Sequence, residues 1–564
     1  AEFFSESELA KQLGYPRQYW HAVLVAELVD NALDACEEEN ILPKIVIDVC
    51  DDSITVTDNG PGIPIAIIES MTDFSNRTSS RIRRAAPTRG AQGNALLCVT
   101  ALPYVANGSQ GIIEIDSGET CHRIVTVMDS IAGRPVIERE ETPGKVQIGT
   151  SFRVQLPCQP EVAGIQRIVP MIATYAAFNP HAEFTVMEYG GGFRWQSFSE
   201  KINKWTARNA EPVHWHDRES FRQLVAASIQ LDRINGQSRL VRDFVQQFAG
   251  LKRSQSAKDV LDATGLARAR LGDLIRGKEI DSAKVDSLFQ AMRDASDAPP
   301  IAKLGRIGKA HIEKSFGGQV KHKCIPGTTS NGLPFVLEIA FRDRNDDGNR
   351  RLYTGVNFSA DVGSPALECI YSLLAEAMVR EDSPTDVFVH LTTPRPVHNN
   401  RGKTKIDLDR TIFPLLDDTL KWATKDYTAK MKAAERDASK AIRDRERQNR
   451  QNKEEVTLKD AIFDLMDESI NIVSQDDTCD FSARNHYYAI RPLVQEYCST
   501  PLTQKYLDKV IDLYEEDFGI IERRTRDPRG FLLEPHTGRR VPLGTREVDN
   551  YSVPLHLYHT VIYV

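Results

Sequence analysis

Residues 22–36 read AVLVAELVDNALDAC, with Leu24, Leu28, Ala32 and Ala35 recurring at three- and four-residue spacing. That period predicts an amphipathic helix. The i, i+4 spacing puts Glu27 and Asn31 of the run Glu27-Leu-Val-Asp-Asn31 on one face. A carboxylate there can orient a water as general base, and an amide oxygen one turn later can help hold a hard cation such as Mg²⁺. The plain alternative is two polar residues on the wet side of a packing helix. Working outward, Ile45–Cys50 and Ser53–Thr57 read as strands joined by an Asp51-Asp52 turn, and Asp58-Asn-Gly60-Pro-Gly62 follows. An Asp at a strand end can accept from an exocyclic amine such as adenine N6, and Gly60 and Gly62 allow close backbone approach. D-N-G is also ordinary turn chemistry. Arg89-Gly90-Ala-Gln-Gly93-Asn94-Ala95 precedes the apolar run Leu96–Ala101. A glycine-bearing loop entering a helix offers unpaired N–H groups and a positive dipole end to phosphates. Gly149-Thr150 opens the strand pattern Ser151–Leu156, where the Thr150 hydroxyl can support the polar face of the first helix.

The chain has 564 residues, 41% hydrophobic and 27% charged, which suggests three to four domains of ordinary globular composition. No apolar stretch approaches the roughly 18 residues of a membrane helix. The first ten residues have neither the basic nor the apolar region of a secretory signal. Nine dispersed cysteines without a C-x-x-C pair fit reduced thiols better than a disulfide framework or a zinc site. The net charge of −8 argues against a chain that coats nucleic acid everywhere, while leaving room for local basic faces. One such face lies between Arg239 and Lys278. Its Lys252, Arg253, Arg268, Arg270, Arg276 and Lys278, with three further cations and only four Asp, leave a surplus of five positive charges. A DNA backbone would fit it through salt-sensitive phosphate contacts; a solvated helical face is the alternative.

Beyond residue 205 the pattern turns helical across Arg218–Glu279, and Asp294–Pro300 reads as a linker. Strand patterns return at Phe335–Phe341, Tyr353–Phe358 and Val387–Leu391. The polar run Thr419–Glu455 lacks Pro and Gly and reads as a solvated connecting helix, followed by a helical segment over Leu458–Glu516.

In order and spacing, the four nucleotide-site features resemble the ATP-binding fold shared by gyrase-type topoisomerases, heat-shock chaperones, mismatch-repair ATPases and histidine kinases. The resemblance implies that Glu27 activates water, Asn31 holds Mg²⁺, Asp58 reads adenine, and Gly90 and Gly93 form the lid over the phosphates of ATP. Ala95 stands where that family's lid usually has another glycine. The runs EFFSESELAKQLG, ELVDNALDACEEENILPKI, LVRDFVQQFAGLKRSQSAKDVLDATGL and VFVHLTTPRPVHNNRGKTKI are similar to the B subunit of topoisomerase VI. They correspond to its N-terminal strap and ATPase domain, its helix–two-turn–helix insert, and the transducer segment with the switch lysine, here Lys403. Phe3 and Phe4 would anchor the strap (Glu2–Gly14) as it swaps between ATPase domains.

Further on, Phe481-Ser-Ala-Arg484-Asn-His-Tyr487-Tyr488 resembles the nucleophile motif of the topoisomerase VI A subunit. The arginine four residues before the second tyrosine shares a helical face with it. A phenol of pKa near 10 needs a neighbouring cation or metal to attack a phosphodiester at neutral pH. That makes Tyr488 the expected nucleophile and Arg484 the stabiliser of developing phosphorane charge; an aromatic pair packed in a helical core is the bland alternative. Residues 550–564 look like the entry to a Toprim domain and stop before its first acidic ligand. The combined expectation is an α+β multidomain chain. It comprises a GHKL (Bergerat) ATPase domain with strap (1–210), a helix–two-turn–helix domain (211–305), an α/β transducer (306–418) and a linking helix (419–456). A winged-helix-like tyrosine domain (457–545) and the start of a Toprim domain (546–564) complete it. The resemblance implies an ATP- and Mg²⁺-dependent type IIB DNA topoisomerase of the single-chain, topoisomerase VIII-like kind. Such a protein would dimerise with itself on binding ATP, act on double-stranded DNA and work in the cytoplasm on nucleoid or plasmid DNA. An ATP-gated DNA clamp that hydrolyses ATP without cutting is the second reading.

Overall fold

The computed structural model describes residues 3–71, 84–89, 95–129, 134–344, 346–399, 404–454, 456–525, 531–534, 537–542, 551 and 562–563. The chain divides into two compact units, residues 1–429 and 430–564.

The first unit opens with helices α1 (Glu6–Leu13) and α2 (Trp20–Glu38). Ser5 caps α1 by accepting from the Glu8 N–H, and Gly14 ends it with φ 76°. The hairpin β1 (Lys44–Cys50) and β2 (Ser53–Asp58) turns at Asp51-Asp52, with Cys50 opposite Ser53. Strict alternation buries Ile45, Ile47 and Val49. Helices α3 (Ile65–Ser70) and α4 (Ala95–Asn107) come next. They are followed by β3 (Gly111–Ser117), β4 (Thr120–Asp129), β5 (Arg134–Pro143), β6 (Thr150–Gln155), helix α5 (Ala163–Phe178), β7 (Glu183–Glu188) and β8 (Gly191–Trp195). The eight strands form one sheet in the order β5-β4-β3-β6-β2-β1-β7-β8. All its pairings are antiparallel except β1 with β7. The core joins the buried strand face to α2, α4 and α5. Phe3 is 4% exposed within this core, and Phe4 meets Tyr104 of α4 edge-on at 5.8 Å. Within the single chain, both rings thus pack against the domain's own core and α4.

Residues 218–280 are less helical than their pattern suggests. Helices Arg218–Ile234, Val241–Val245 and Ser254–Thr264 give way to a small hairpin, Ile275–Arg276 with Glu279–Ile280, because Gly277 at φ 69° permits a reversal. Phe221, Phe244, Phe248 and Phe289 centre its core. A second sheet has the order Lys321–Thr328, Pro334–Asp343, Thr385–Thr392, Arg351–Val356, Ser359–Ala360. Its strands Pro334–Asp343 and Thr385–Thr392 are buried on both faces for most or all of their length, which explains their continuous apolar runs. The long helix spans Ile412–Glu454 and starts seven residues before the polar run, with Pro414 in its first turn where no N–H is needed.

The second unit, past that helix, packs Leu458–Asp464, Met466–Ser474, Ala483–Tyr497 and Gln504–Phe518 around Ile462, Met466, Phe481, Ile490 and Leu507. Short strands Phe531–Leu533, Arg540–Pro542 and Ile562–Tyr563 form a three-stranded sheet. None of the nine cysteines forms a disulfide. Among the described residues, no helix is long and apolar enough to cross a membrane.

Candidate nucleotide site and tyrosine helix

Helix α2 is buried on nearly every side. Its less buried positions are Glu27, Asp30, Asn31, Ala35 and Glu38, of which Glu27, Asn31, Ala35 and Glu38 follow a three- and four-residue spacing and form one stripe. Glu27 is half-buried and Asn31 exposed on that stripe. The neighbouring strand end holds Asp58, whose Oδ1 accepts from the Gly60 N–H at 2.7 Å. Burial raises the Asp58 carboxyl above its ordinary pKa, against the opposing pull of the Gly60 and Thr150 N–H groups. Thr150 lies opposite Asp58 in the β2–β6 pairing. Its backbone N–H thus serves Asp58, and the Thr150 residue itself is buried. Asn59 pins the loop: its Oδ1 accepts from the Lys44 N–H at 2.7 Å and its Nδ2 donates to the Leu42 carbonyl at 3.1 Å.

The glycines have local reasons to be there. A Cβ on Gly60 would lie 2.9 Å from Asp58 Oδ1 and 3.2 Å from Cys36 Sγ. At Gly149, with φ 93°, it would lie 1.9 Å from the Asp58 carbonyl oxygen. Gly62, at φ 87°, would press on Ser117 Oγ at 2.8 Å, the atom that accepts from the Ile63 N–H at 2.9 Å. Burial pushes the Cys36 thiol up to about 12. Gly90, Gly93 and Lys403 lie outside the described residues.

Sequence reasoning passed over a buried ionic cluster behind the same helix. The Arg89 guanidinium is fully buried. It pairs with Asp34 at 2.9 Å and Glu37 at 3.0 Å, lies 3.7 Å from Asp30, and donates to Asn179 Oδ1 at 2.5 Å. Glu37 also meets Lys204 at 2.8 Å and His181 at 2.8 Å. Burial pushes the Glu37 carboxyl up, but Arg89, Lys204 and His181 outweigh it and hold the group well below the usual range. Burial lowers Lys204 to about 8. The signal available in sequence was Asp30, Asp34 and Glu37 at helical spacing on a face of the helix other than the Glu27–Asn31 stripe.

In the second unit, Ser482 caps the helix Ala483–Tyr497 by accepting from the Asn485 N–H. Tyr488 is 57% exposed, and the Arg484 guanidinium carbon lies 6.0 Å from its ring centroid. Tyr487 is half-buried and its hydroxyl donates to the Leu502 carbonyl at 3.1 Å. The helical pair is therefore differentiated: one phenol is tied to backbone, the other faces solvent. Lys252, Arg253, Arg268, Arg270, Arg276 and Lys278 are all exposed, but Arg270 spends its guanidinium on the Ser238 carbonyl at 2.7 Å. Arg276 and Lys278 flank Gly277 at the tip of the small hairpin. Residues 546–564 fall almost wholly outside the described residues.

Residues 21–160, which contain Glu27, Asn31, Asp58, Arg89 and Thr150, match the family of histidine kinase-, DNA gyrase B- and HSP90-like ATPases. The chain carries a GHKL-type ATPase domain. It is also homologous to the B subunit of type 2 DNA topoisomerase 6. It is 26% identical to that protein from Archaeoglobus fulgidus over 355 residues, which is 60% of this chain and 56% of the relative. It is 29% identical to the Natronomonas pharaonis protein over 211 residues, 36% of this chain and 26% of the relative. The chain thus spans about half of the first relative's length and a quarter of the second's. Among solved structures, the ATPase region of Saccharomyces cerevisiae topoisomerase II aligns with 12% identity. The match covers 73% of this chain and 85% of that one, at a TM-score of 0.33.

Proposed function

We propose that the chain is an ATP-dependent type IIB DNA topoisomerase with ATPase and tyrosine-bearing parts in one polypeptide, of the topoisomerase VIII kind. The observation that carries the ATPase reading is the less buried stripe of α2. It presents a half-buried carboxylate, Glu27, one turn before an exposed amide, Asn31, within the matched ATPase region. Glu27 takes a proton from the water that attacks the γ-phosphate. Asp58, already held by the Gly60 N–H, keeps acceptor capacity for the adenine amine. The residues fit Mg²⁺ of the kind that arrives with its nucleotide. Among the described residues no group of three acids, histidines or cysteines could hold a metal alone. Mg²⁺, however, commonly takes one or two protein oxygens, with phosphates and water completing its shell. Asn31 would supply one such oxygen, and the bound ion neutralises phosphate charge. Gly90 and Gly93 would line the phosphates and Lys403 would reach the γ-phosphate, as the family resemblance implies.

For cleavage, the phenolic oxygen of Tyr488 attacks a phosphodiester, the bond to the 3′ oxygen breaks, and a 5′-phosphotyrosyl link forms; religation reverses the step. Exposure of Tyr488 beside Arg484 supports this assignment over Tyr487, whose hydroxyl is engaged. The exposed cations Lys252, Arg253, Arg268, Arg276 and Lys278 would contact the backbone of double-stranded DNA, and two copies of the chain would close around it. The domain limits 211–305, 306–418 and 457–545 follow from the same resemblance.

The test uses the full-length protein with supercoiled plasmid, ATP and Mg²⁺. Relaxation lost in Tyr488→Phe supports a topoisomerase. Salt-sensitive, DNA-stimulated ATP hydrolysis without a covalent adduct would replace it with the ATP-gated clamp. Glu27→Ala keeps nucleotide binding and loses turnover; unchanged hydrolysis removes Glu27 as the base.

A further inference from the structure

The buried cluster behind α2 does not end in the ATPase domain. Asp30 accepts from Tyr175 Oη at 2.9 Å and from Ser359 Oγ at 2.7 Å, and Ser359 begins the edge strand of the second sheet. Asn179, which receives Arg89, donates through Nδ2 to the Phe358 carbonyl at 2.9 Å. The Phe358 N–H donates to His390 Nε2 at 2.9 Å, and Asn357 Oδ1 accepts from the Thr393 N–H at 2.9 Å. The Lys204 ammonium, paired with Glu37, sits 4.4 Å from the centre of the Phe358 ring. Every link from Arg89 to the second sheet is thus a buried or partly buried hydrogen bond, ion pair or cation–ring contact.

The turn that receives these links holds a bulky residue where glycine is usual. Asn357 and Phe358 both have positive φ, 53° and 66°. A bulky residue in that region is held only when its surroundings over-determine it. Gly355 just before it could carry no side chain, since a Cβ would lie 2.0 Å from the Ser359 carbonyl oxygen and 2.5 Å from the Phe178 ring. Val356 and Ser359 pair across it, so Asn357–Phe358 is a two-residue hairpin loop, a turn type that takes positive φ at both positions, and the bulky Phe358 is kept there by contacts from both domains.

We infer that the turn Asn357–Ser359 is a coupling joint between the nucleotide domain and the second sheet, with Arg89 and Ser359 as positioning residues. Arg89 fixes the rotation of α2, and so the direction of Glu27 and Asn31. Ser359 reports that rotation to the second sheet through Asp30. The joint acts in addition to Lys403 and involves no contact with the nucleotide. It rests on the ATPase reading above.

The test follows backbone amide exchange of the turn in the full-length chain, with and without the β,γ-imido analogue of ATP, alongside steady-state hydrolysis. Wild type gains protection at residues 357–359 when the analogue binds. Ser359→Ala binds the analogue with unchanged affinity and loses that protection. Its kcat falls at least about fivefold while KM holds, and Ser359→Thr restores both. Arg89→Lys, which keeps the charge and loses the fork, gives the same split. Nucleotide-induced protection and kcat retained in Ser359→Ala would overturn the joint. Failure of the wild-type chain to bind the analogue would instead overturn the ATPase reading.

Discussion

Replacing Arg89 by Met removes a fully buried guanidinium that makes two hydrogen bonds to Glu37, one to Asp34 and one to Asn179. Met preserves most of the volume, so the loss is electrostatic. Glu37 retains Lys204 and His181, and Asp30 retains Tyr175 and Ser359. The helix would nonetheless carry three acids within eight residues against one buried cation. Removing one partner of a buried ion pair costs about 3–5 kcal/mol. At about 2–4 °C per kcal/mol for a domain of this size, the melting temperature falls on the order of 10 °C. All five tryptophans, Trp20, Trp195, Trp205, Trp215 and Trp422, lie in the first unit, so selectively excited tryptophan fluorescence reports its unfolding alone. Arg89→Lys should lose less, because a single ammonium still neutralises one acid. A drop below about 2 °C in Arg89→Met would refute the reasoning, since that corresponds to less than about 1 kcal/mol.

Gly149→Ala should destabilise the first unit by about 1–3 kcal/mol and weaken nucleotide binding, because the new methyl strikes the Asp58 carbonyl; calorimetric titration with an ATP analogue checks it. Tyr487→Phe should keep whatever DNA cleavage the protein shows and lower stability by about 1 kcal/mol through loss of the bond to Leu502, whereas Tyr488→Phe should do the reverse. In the second unit, burial lowers His486 from 6.5 to about 4, with Arg524 adding to the shift and Ser469 as its hydrogen-bond partner. The unfolded chain takes up the proton first as pH falls, so this stability is complete above pH 6.5 and drains away toward pH 4. The loss amounts to about 3 kcal/mol. His486→Gln should flatten that part of the far-ultraviolet denaturation profile, and an equal slope in both proteins would dismiss the group. Lys252→Ala with Arg253→Ala should reduce the salt dependence of DNA binding by about two phosphate contacts; an unchanged slope would place the duplex elsewhere.

Much of the first unit was legible because its signals are local. The alternation in Ile45–Cys50, the Asp51-Asp52 turn and the apolar spacing of α2 each depend on a few adjacent residues, and they appear where the pattern put them. The partners of the site were less legible because they come from far along the chain. Nothing near Thr150 says that its N–H faces Asp58 across the β2–β6 pairing. Arg89 reaches Glu37 over 52 residues and Ser359 reaches Asp30 over 329. The strand Lys321–Thr328 was missed because its burial is only intermediate, so its face carries no clean alternation. The small hairpin at Gly277 hid inside a run whose helical neighbours set the average.

The thiols sort by reactivity in a way that bears on experiment. Cys36 lies beside the Asp58 loop and burial keeps it protonated, as it does Cys158, both at about 12. The two exposed cysteines are Cys50 and Cys479, one in each unit. A maleimide dye offered at neutral pH should therefore decorate those two sulfurs first and spare the one next to Gly60. The natural chain thus brings its own donor and acceptor positions for single-molecule fluorescence, with no engineered residue.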